Sequence, residues 1–221
     1  AAPRGQGEQR AVAGQEHRRQ AVPFDAQGHE RLEERGRVGA IGDEVQIDED
    51  QLARLLQYLA LIRKWNRVHN LTALRDPDKM LSHHLLDSLA VVPHLHAQTW
   101  LDVGSGAGLP GMVLAIARPD WQITLADSNH KKSSFQQQAR IELGLTNICV
   151  VAGRVQDTDP GRKYSGVISR AFSEMGEFIR LTQHLLAPGG RWYAMKGVHP
   201  HDELTQLPAG IQVEKILPLA V

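Results

Sequence analysis

Thr99-Trp100-Leu101-Asp102-Val103-Gly104-Ser105-Gly106-Ala107-Gly108-Leu109 decides the fold. Five strand-forming residues run into a loop with glycine at every second position. The apolar stretch Leu109–Ala117 then has the length and composition of a helix. Strand, glycine turn and helix in that order open a parallel βαβ unit. The alternation continues downstream, with strands expected at Gln122–Ala126, Asn147–Ala152, Ser165–Ser169, Arg191–Lys196 and Ile211–Leu217. Helices are expected at His130–Leu143, closed by Gly144, and at Glu174–Leu186. Pro188-Gly189-Gly190 reads as a turn. The pattern implies an α/β fold with a doubly wound, parallel sheet.

Upstream, the pattern is helical. Asp48 is a cap with Gln51 in the capping-box position. Leu52, Leu55, Leu56, Leu59 and Ile62 make an apolar stripe, and Arg54, Arg63, Lys64 and Arg67 lie mostly off it as a solvated face. Asp76-Pro77 starts a second helix that carries Leu81, Leu85, Leu89 and Val92 and ends at Pro93. Residues 45–97 therefore read as an N-terminal helical subdomain and 98–221 as the sheet domain. Residues 1–44 read as an extension. Its first 40 residues show no apolar period and suit a disordered or foreign segment. The alternative is a basic RNA-binding arm, whose seven arginines are diluted by six acidic residues.

Lys+Arg and Asp+Glu are equal at 25 each, so any nucleic-acid surface must be a local patch. The single cysteine, Cys149, excludes an internal disulfide and a cysteine-based metal cluster, and fits a reducing, cytoplasmic compartment. It lies in the apolar run Ile148–Val151 and reads as an inert core thiol. No apolar run approaches the roughly 20 residues of a membrane span. His83-His84, His94-x-His96 and His199-x-His201 lack companion cysteines and the H-E-x-x-H spacing, so no metal is expected.

In a doubly wound sheet a ligand sits beyond the carboxyl ends of the strands, where the glycine loop lies. Gly104, Gly106 and Gly108 let backbone approach that ligand. A dinucleotide fingerprint, G-x-G-x-x-G, needs glycine where this chain has Leu109. Asp102, just before the first glycine, would repel a pyrophosphate but suits the ammonium of a methionine moiety. Asp127, ending the second strand, can accept ribose hydroxyls. The ligand these features favour is S-adenosylmethionine (SAM). A nicotinamide oxidoreductase and a non-catalytic ribosomal RNA-binding protein remain the competing readings.

Further blocks carry a family resemblance. Trp65-Asn66, Asn70-Leu71-Thr72, Arg75-Asp76-Pro77, His84 and Asp87-Ser88 resemble the N-terminal signature of the bacterial glucose-inhibited division protein B family. Leu101–Gly111 is similar to its cofactor loop; Val167–Ala171 and Ala194–Gly197 are similar to two later blocks. The resemblance spans about residues 47–219. It implies a class I SAM methyltransferase fold, a Rossmann-like, mostly parallel sheet of the seven-stranded type, and transfer to N7 of one guanine, position 527, in 16S ribosomal RNA, on free RNA or a small-subunit precursor, by a cytoplasmic monomer. Its cofactor contacts fall on Gly104, Leu109, Val155, Gln156 and Arg170, with Gln156 standing where glutamate is usual. The family also continues with a further antiparallel strand beyond Val221. Without it Ile211–Leu217 lacks a neighbour, so a truncated chain or a loose sixth strand is expected.

Guanine N7 bears a lone pair and no proton, so its methylation needs no general base and rests on positioning. Arg170 and Lys196, at neighbouring strand ends, are the candidates for that work. Arg170 can meet the ligand or form a plain salt bridge to Asp102 or Glu174. Asn70, Arg75, His84, Lys131, Lys132 and Lys196 are the RNA-binding candidates. His84 is alternatively a local hydrogen-bonder near Asp87. Lys131 and Lys132 open a helix, where cations oppose the dipole.

Overall fold

A computed structural model of the protein describes residues 45–159, 161–170, 172, 174–197 and 200–219. The readings placed on residues 1–44 lie outside the described residues.

The first helix, α1, spans Glu49–His69. Asp48 caps it: its side chain accepts from Gln51 N at 2.7 Å, and Gln51 Oε1 accepts from Asp48 N at 3.0 Å. Asn70 ends it in the left-handed conformation, φ 46°. The second helix, α2, is less regular than its sequence suggests. It runs Pro77–Met80, passes through a π-helical stretch Leu81–Leu86, and resumes at Asp87–Leu89. A 3-10 turn, Val92–His94, leads to the sheet.

The sheet comprises β1 (Thr99–Val103), β2 (Gln122–Asp127), β3 (Ile148–Ala152), β4 (Tyr164–Ser169) and β5 (Leu186–Ala194). All pairings are parallel, in the order β3-β2-β1-β4-β5. Helix α3 (Gly111–Ala117) follows β1, α4 (His130–Glu142) follows β2, and α5 (Met175–Thr182) follows β4. A short α6, His201–Leu204, follows β5. The chain thus winds outward in both directions from the centre, and the order reverses between β1 and β4, where ligands bind in such sheets.

Alternation along β1 sends its residues to two cores. Trp100 joins the larger core with Leu55, Tyr58, Ile62, Met112 and Phe135. Leu101 and Val103 join the smaller one with Val167 and Phe178. The larger core takes residues from α1 and α2 as well as from the sheet, so the N-terminal helices share their apolar interior with the domain behind them. Trp100, between Trp121 and Tyr193 at 5.3 and 5.1 Å, anchors that junction.

Three expected elements differ. The helix expected over 174–186 stops at Thr182 and closes as a 3-10 turn, Gln183–Leu185. The Pro188–Gly190 turn is an irregularity inside β5: Leu186 pairs with Tyr164 and Arg191 with Gly166, so four residues are extruded against one. Such an insertion bends the strand while pairing resumes beyond it. Ile211–Leu217 is not a strand, and the sheet counts five strands among the described residues. A strand persists where a neighbour takes its N–H and C=O groups; among the described residues no strand pairs with this segment, and Glu214 reaches β5 through its side chain, Oε2 accepting from Arg191 Nε at 2.8 Å.

Candidate active site

The loop Gly104–Gly108 leaves β1 at the switch point. Gly104, Gly106 and Gly108 have φ of 65°, 60° and 92°, a region other residues adopt at a cost. The alternating glycines are therefore required by the winding of the loop. Close approach matters too: a Cβ on Gly108 would lie 3.2 Å from Tyr58 Oη and 3.3 Å from Met112 Cβ.

Side chains from three elements hold this backbone. Asp127 Oδ2 accepts from Gly106 N at 2.7 Å, and its Oδ1 accepts from Asn129 N at 2.8 Å. Gln136 on α4 donates to Ser105 Oγ at 2.9 Å and to Gly106 O at 2.8 Å. Tyr58 on α1 donates to Ala107 O at 2.5 Å. The expected ribose acceptor Asp127 thus already braces the loop with both oxygens, each keeping one lone pair for a ligand hydroxyl.

Asp102 sits beneath the loop with no solvent exposure. Its Oδ2 accepts from Gly111 N at 2.8 Å; its Oδ1 is buried with no partner. Gly111 is needed for that approach, since a Cβ there would fall 2.4 Å from Leu125 Cδ2 and 2.8 Å from Asp102 Oδ2. The bond also occupies the first amide of α3. Burial pushes the Asp102 carboxyl up to about 7, with the Gly111 bond and the Arg170 charge pulling it back. An unpartnered, dehydrated carboxylate oxygen is costly by itself and invites a cationic partner.

Across the tips of β1, β2 and β3 runs a cleft of about 220 Å³. Asp102, Gly106, Gly108 and Arg170 are outside its lining, while Asp127, and Gly104, Val155 and Gln156 at positions the resemblance gives, line it. Leu109 does not: its side chain is 4 % exposed and packs in the larger core. The sequence reading missed Ser128, Gly153, Arg154, Phe172 and Leu181, which complete the cleft. Their order along the chain carries no period or motif; only the turns after β2, β3 and β4 bring them together.

The remaining candidates scatter. Arg170 forms no salt bridge to Asp102 or Glu174; its Nη1 donates to His83 O at 2.8 Å, tying the tip of β4 to α2. Lys196 is drawn away from the cleft. Its Nζ pairs with Glu203 at 2.7 Å and donates to Phe172 O at 3.1 Å, steadying a cleft-lining residue from behind. His84 is 4 % exposed and neither ring nitrogen finds a partner, so it does not bond near Asp87 as expected. Burial first, then Arg170, lowers its pKa to about 4 and keeps the ring neutral. Asn70 and Arg75 meet each other, with Arg75 Nη2 donating to Asn70 Oδ1 at 2.8 Å. Lys131 is exposed and Lys132 half-exposed at the start of α4, where Asn129 Oδ1 accepts from both amides. Cys149 is half-buried and its Sγ accepts from Arg162 at 3.5 Å. Among the described residues no three His, Cys, Asp or Glu gather as metal ligands.

A family model described as rRNA small subunit methyltransferase G matches residues 51–221. The ribosomal RNA small subunit methyltransferase G of Burkholderia multivorans is 53% identical over 190 residues, 83% of this chain and 83% of that one. The protein of the same name from Nitrosospira multiformis is 55% identical over 182 residues, 79% and 84% of the two chains. Among solved structures, a SAM-dependent methyltransferase from Geobacter sulfurreducens in complex with S-adenosyl-L-homocysteine aligns with TM-score 0.40 and 21% identity, covering 62% of this chain and 53% of that chain.

Proposed function

The chain belongs to the rRNA small subunit methyltransferase G family, and we propose from that premise that it methylates N7 of a guanine, position 527, in 16S ribosomal RNA, using SAM. One observation carries the cofactor reading: Asp102 holds a bare, buried carboxylate oxygen directly beneath a three-glycine loop. The residues present fit the group. Asp102 would neutralise the ammonium of the methionine moiety. Asp127 retains acceptor capacity for the ribose. Val103, Val155, Phe172 and Leu181 give an apolar slot of a size for the adenine, with Gln156 at its rim.

When bound, SAM supplies an electrophilic methyl on sulfur; N7 forms the new C–N bond as the C–S bond breaks, leaving S-adenosyl-L-homocysteine and a cationic 7-methylguanine. N7 releases no proton, so the chain's residues bind, orient and exclude water. Gly106 leaves its face of the loop open, a Cβ there meeting nothing nearer than 3.9 Å. Arg170, fixed by His83 O, sets a positive charge at the β4 tip beside α2, suited to a phosphate or to the base. We assign residues 98–221 to donor binding and the helices of 45–97 to the RNA side. On the family resemblance we place the enzyme in the cytoplasm as a monomer. No helix among the described residues is long and apolar enough to cross a membrane.

The test is methyl transfer from labelled SAM to small-subunit RNA, followed by mapping of the labelled nucleotide. Label on a single guanine N7 is expected. Failure to transfer methyl, together with thermal stabilisation by NAD, would return the oxidoreductase reading.

A further inference from the structure

Charge in this chain is balanced overall but not along it. From Gln51 to Arg75 there is no acidic residue, while five cations occur. From Ser128 to Ile141 there is again none, with Lys131, Lys132 and Arg140 present. These two acid-free segments are α1 beyond its first two residues, with the loop that follows it, and α4 short of its last residue.

The fold lays them side by side. Gln57 donates to Glu142 O at 3.4 Å, and Trp65 meets Phe135 edge-on at 5.5 Å. As α1 advances from 57 to 65, its partner on α4 retreats from 142 to 135, so the helices are antiparallel. The last turn of α1 therefore lies beside the first turn of α4. That first turn follows the tip of β2, at the donor loop: Lys132 Nζ lies 4.0 Å from where a Cβ on Gly106 would stand.

Lys64, Arg67, Arg75 and Lys131 are exposed, and Lys132 half-exposed. Among the described residues, no carboxylate lies within 4.0 Å of any of them. Arg75 is held in place by Asn70. Two cations in the first turn of α4 oppose its dipole at a cost of some tenths of a kcal/mol each, uncompensated within the described fold.

We propose that this rim, formed by the last turns of α1, Arg75 and the first turn of α4, is the phosphate-docking surface that presents the substrate RNA to the donor loop. Like-charged side chains crowded without counter-ions are stabilised by a polyanion that releases its condensed cations. An RNA backbone is the polyanion chosen here because the surface abuts the methyl-donor loop, and this rests on the reading of the chain as an rRNA methyltransferase. The contacts are to phosphates; they hold the RNA in register, and selection of the base falls to the site itself.

The test compares three variants with the full-length protein, on a small-subunit rRNA transcript and on isolated small subunits. Lys64→Glu with Arg67→Glu alters α1; Lys131→Glu with Lys132→Glu alters α4; Arg54→Glu alters α1 about 20 Å up the helix from Arg67 at 1.5 Å per residue. Each double variant is expected to raise the KM for RNA on the order of tenfold. It should also flatten the dependence of log affinity on log salt by about 1.5, at about 0.7–0.9 for each phosphate no longer neutralised. Arg54→Glu should match the parent, and Lys64→Glu with Arg67→Glu should keep its affinity for S-adenosyl-L-homocysteine within about twofold. Parent-like KM and salt slope in both double variants would overturn the proposal, as would equal damage from Arg54→Glu. If the parent protein itself transferred no methyl to either RNA, the methyltransferase reading would fail first; parent activity with unaffected variants would remove the docking surface alone.

Discussion

Two aspartates stand at neighbouring strand tips, Asp102 on β1 and Asp127 on β2, and they do different things with the same side chain. Asp127 braces the glycine loop by taking Gly106 N at 2.7 Å, while Asp102 takes Gly111 N, the first amide of α3, at 2.8 Å. Asp127 gives its second oxygen to Asn129 N and is satisfied by its own chain. Asp102 keeps its second oxygen bare in a site without solvent. The loop is thus built from one tip and charged from the other. Asp127 shapes it, while Asp102 waits for a cation that the fold does not provide.

Exchanging Asp102 for asparagine should break this contrast most completely. Loss of the charge-assisted bond, about 1.5–3 kcal/mol, predicts SAM affinity on the order of 100-fold weaker by calorimetry. Stability should move the other way. The folded carboxyl titrates at about 7, against 3.8 for an ordinary aspartate. Its contribution to stability is therefore fully present below about pH 4 and lost as pH rises through 7. Asp102→Asn should thus exceed the parent by about 2–4 kcal/mol at pH 8, the gap closing by about pH 4, in urea melts at each pH. A gap between variant and parent of the same size at both pH values would show that the charge is not buried in solution.

Gly111→Ala attacks the same carboxylate through its support. The new Cβ collides with Leu125 and Asp102, so a loss of about 1–3 kcal/mol is expected in denaturant unfolding. Asp127→Asn leaves one acceptor oxygen for two backbone donors; about 1–2 kcal/mol of stability should go, with SAM affinity about tenfold weaker. Should Asp127→Asn prove as harmful to SAM binding as Asp102→Asn, the division of labour between the two tips would be lost. Tyr58→Phe is the mildest change. It removes the bond to Ala107 O and should cost about 1 kcal/mol in the same melts.

Much of the fold was legible because its signals are local. Asp48 and Gln51 cap α1 as their spacing dictates, and the three glycines mark the positive φ values of the loop. What failed was non-local. Lys196 reads as a cleft cation until Glu203, seven residues on, folds back to claim it. Ile211–Leu217 reads as a strand on composition, but a ladder needs a neighbour that no composition can show. His84 lies in a π-helical stretch that shifts it out of helical register, which periodicity does not reveal. Phe172 and Leu181 join the cleft only through the turns that carry them there.

The claim that Asp102 is a buried anion awaiting the donor's ammonium is tested most directly by calorimetric titration of the intact protein. S-adenosyl-L-homocysteine would be titrated at pH 8 and pH 6, in buffers of differing ionisation heat. Binding should weaken toward pH 6, with a proton released on binding at pH 6 as Asp102 ionises to meet the ammonium. Absence of binding at both pH values, or a pH-independent affinity shared by Asp102→Asn, would contradict that claim.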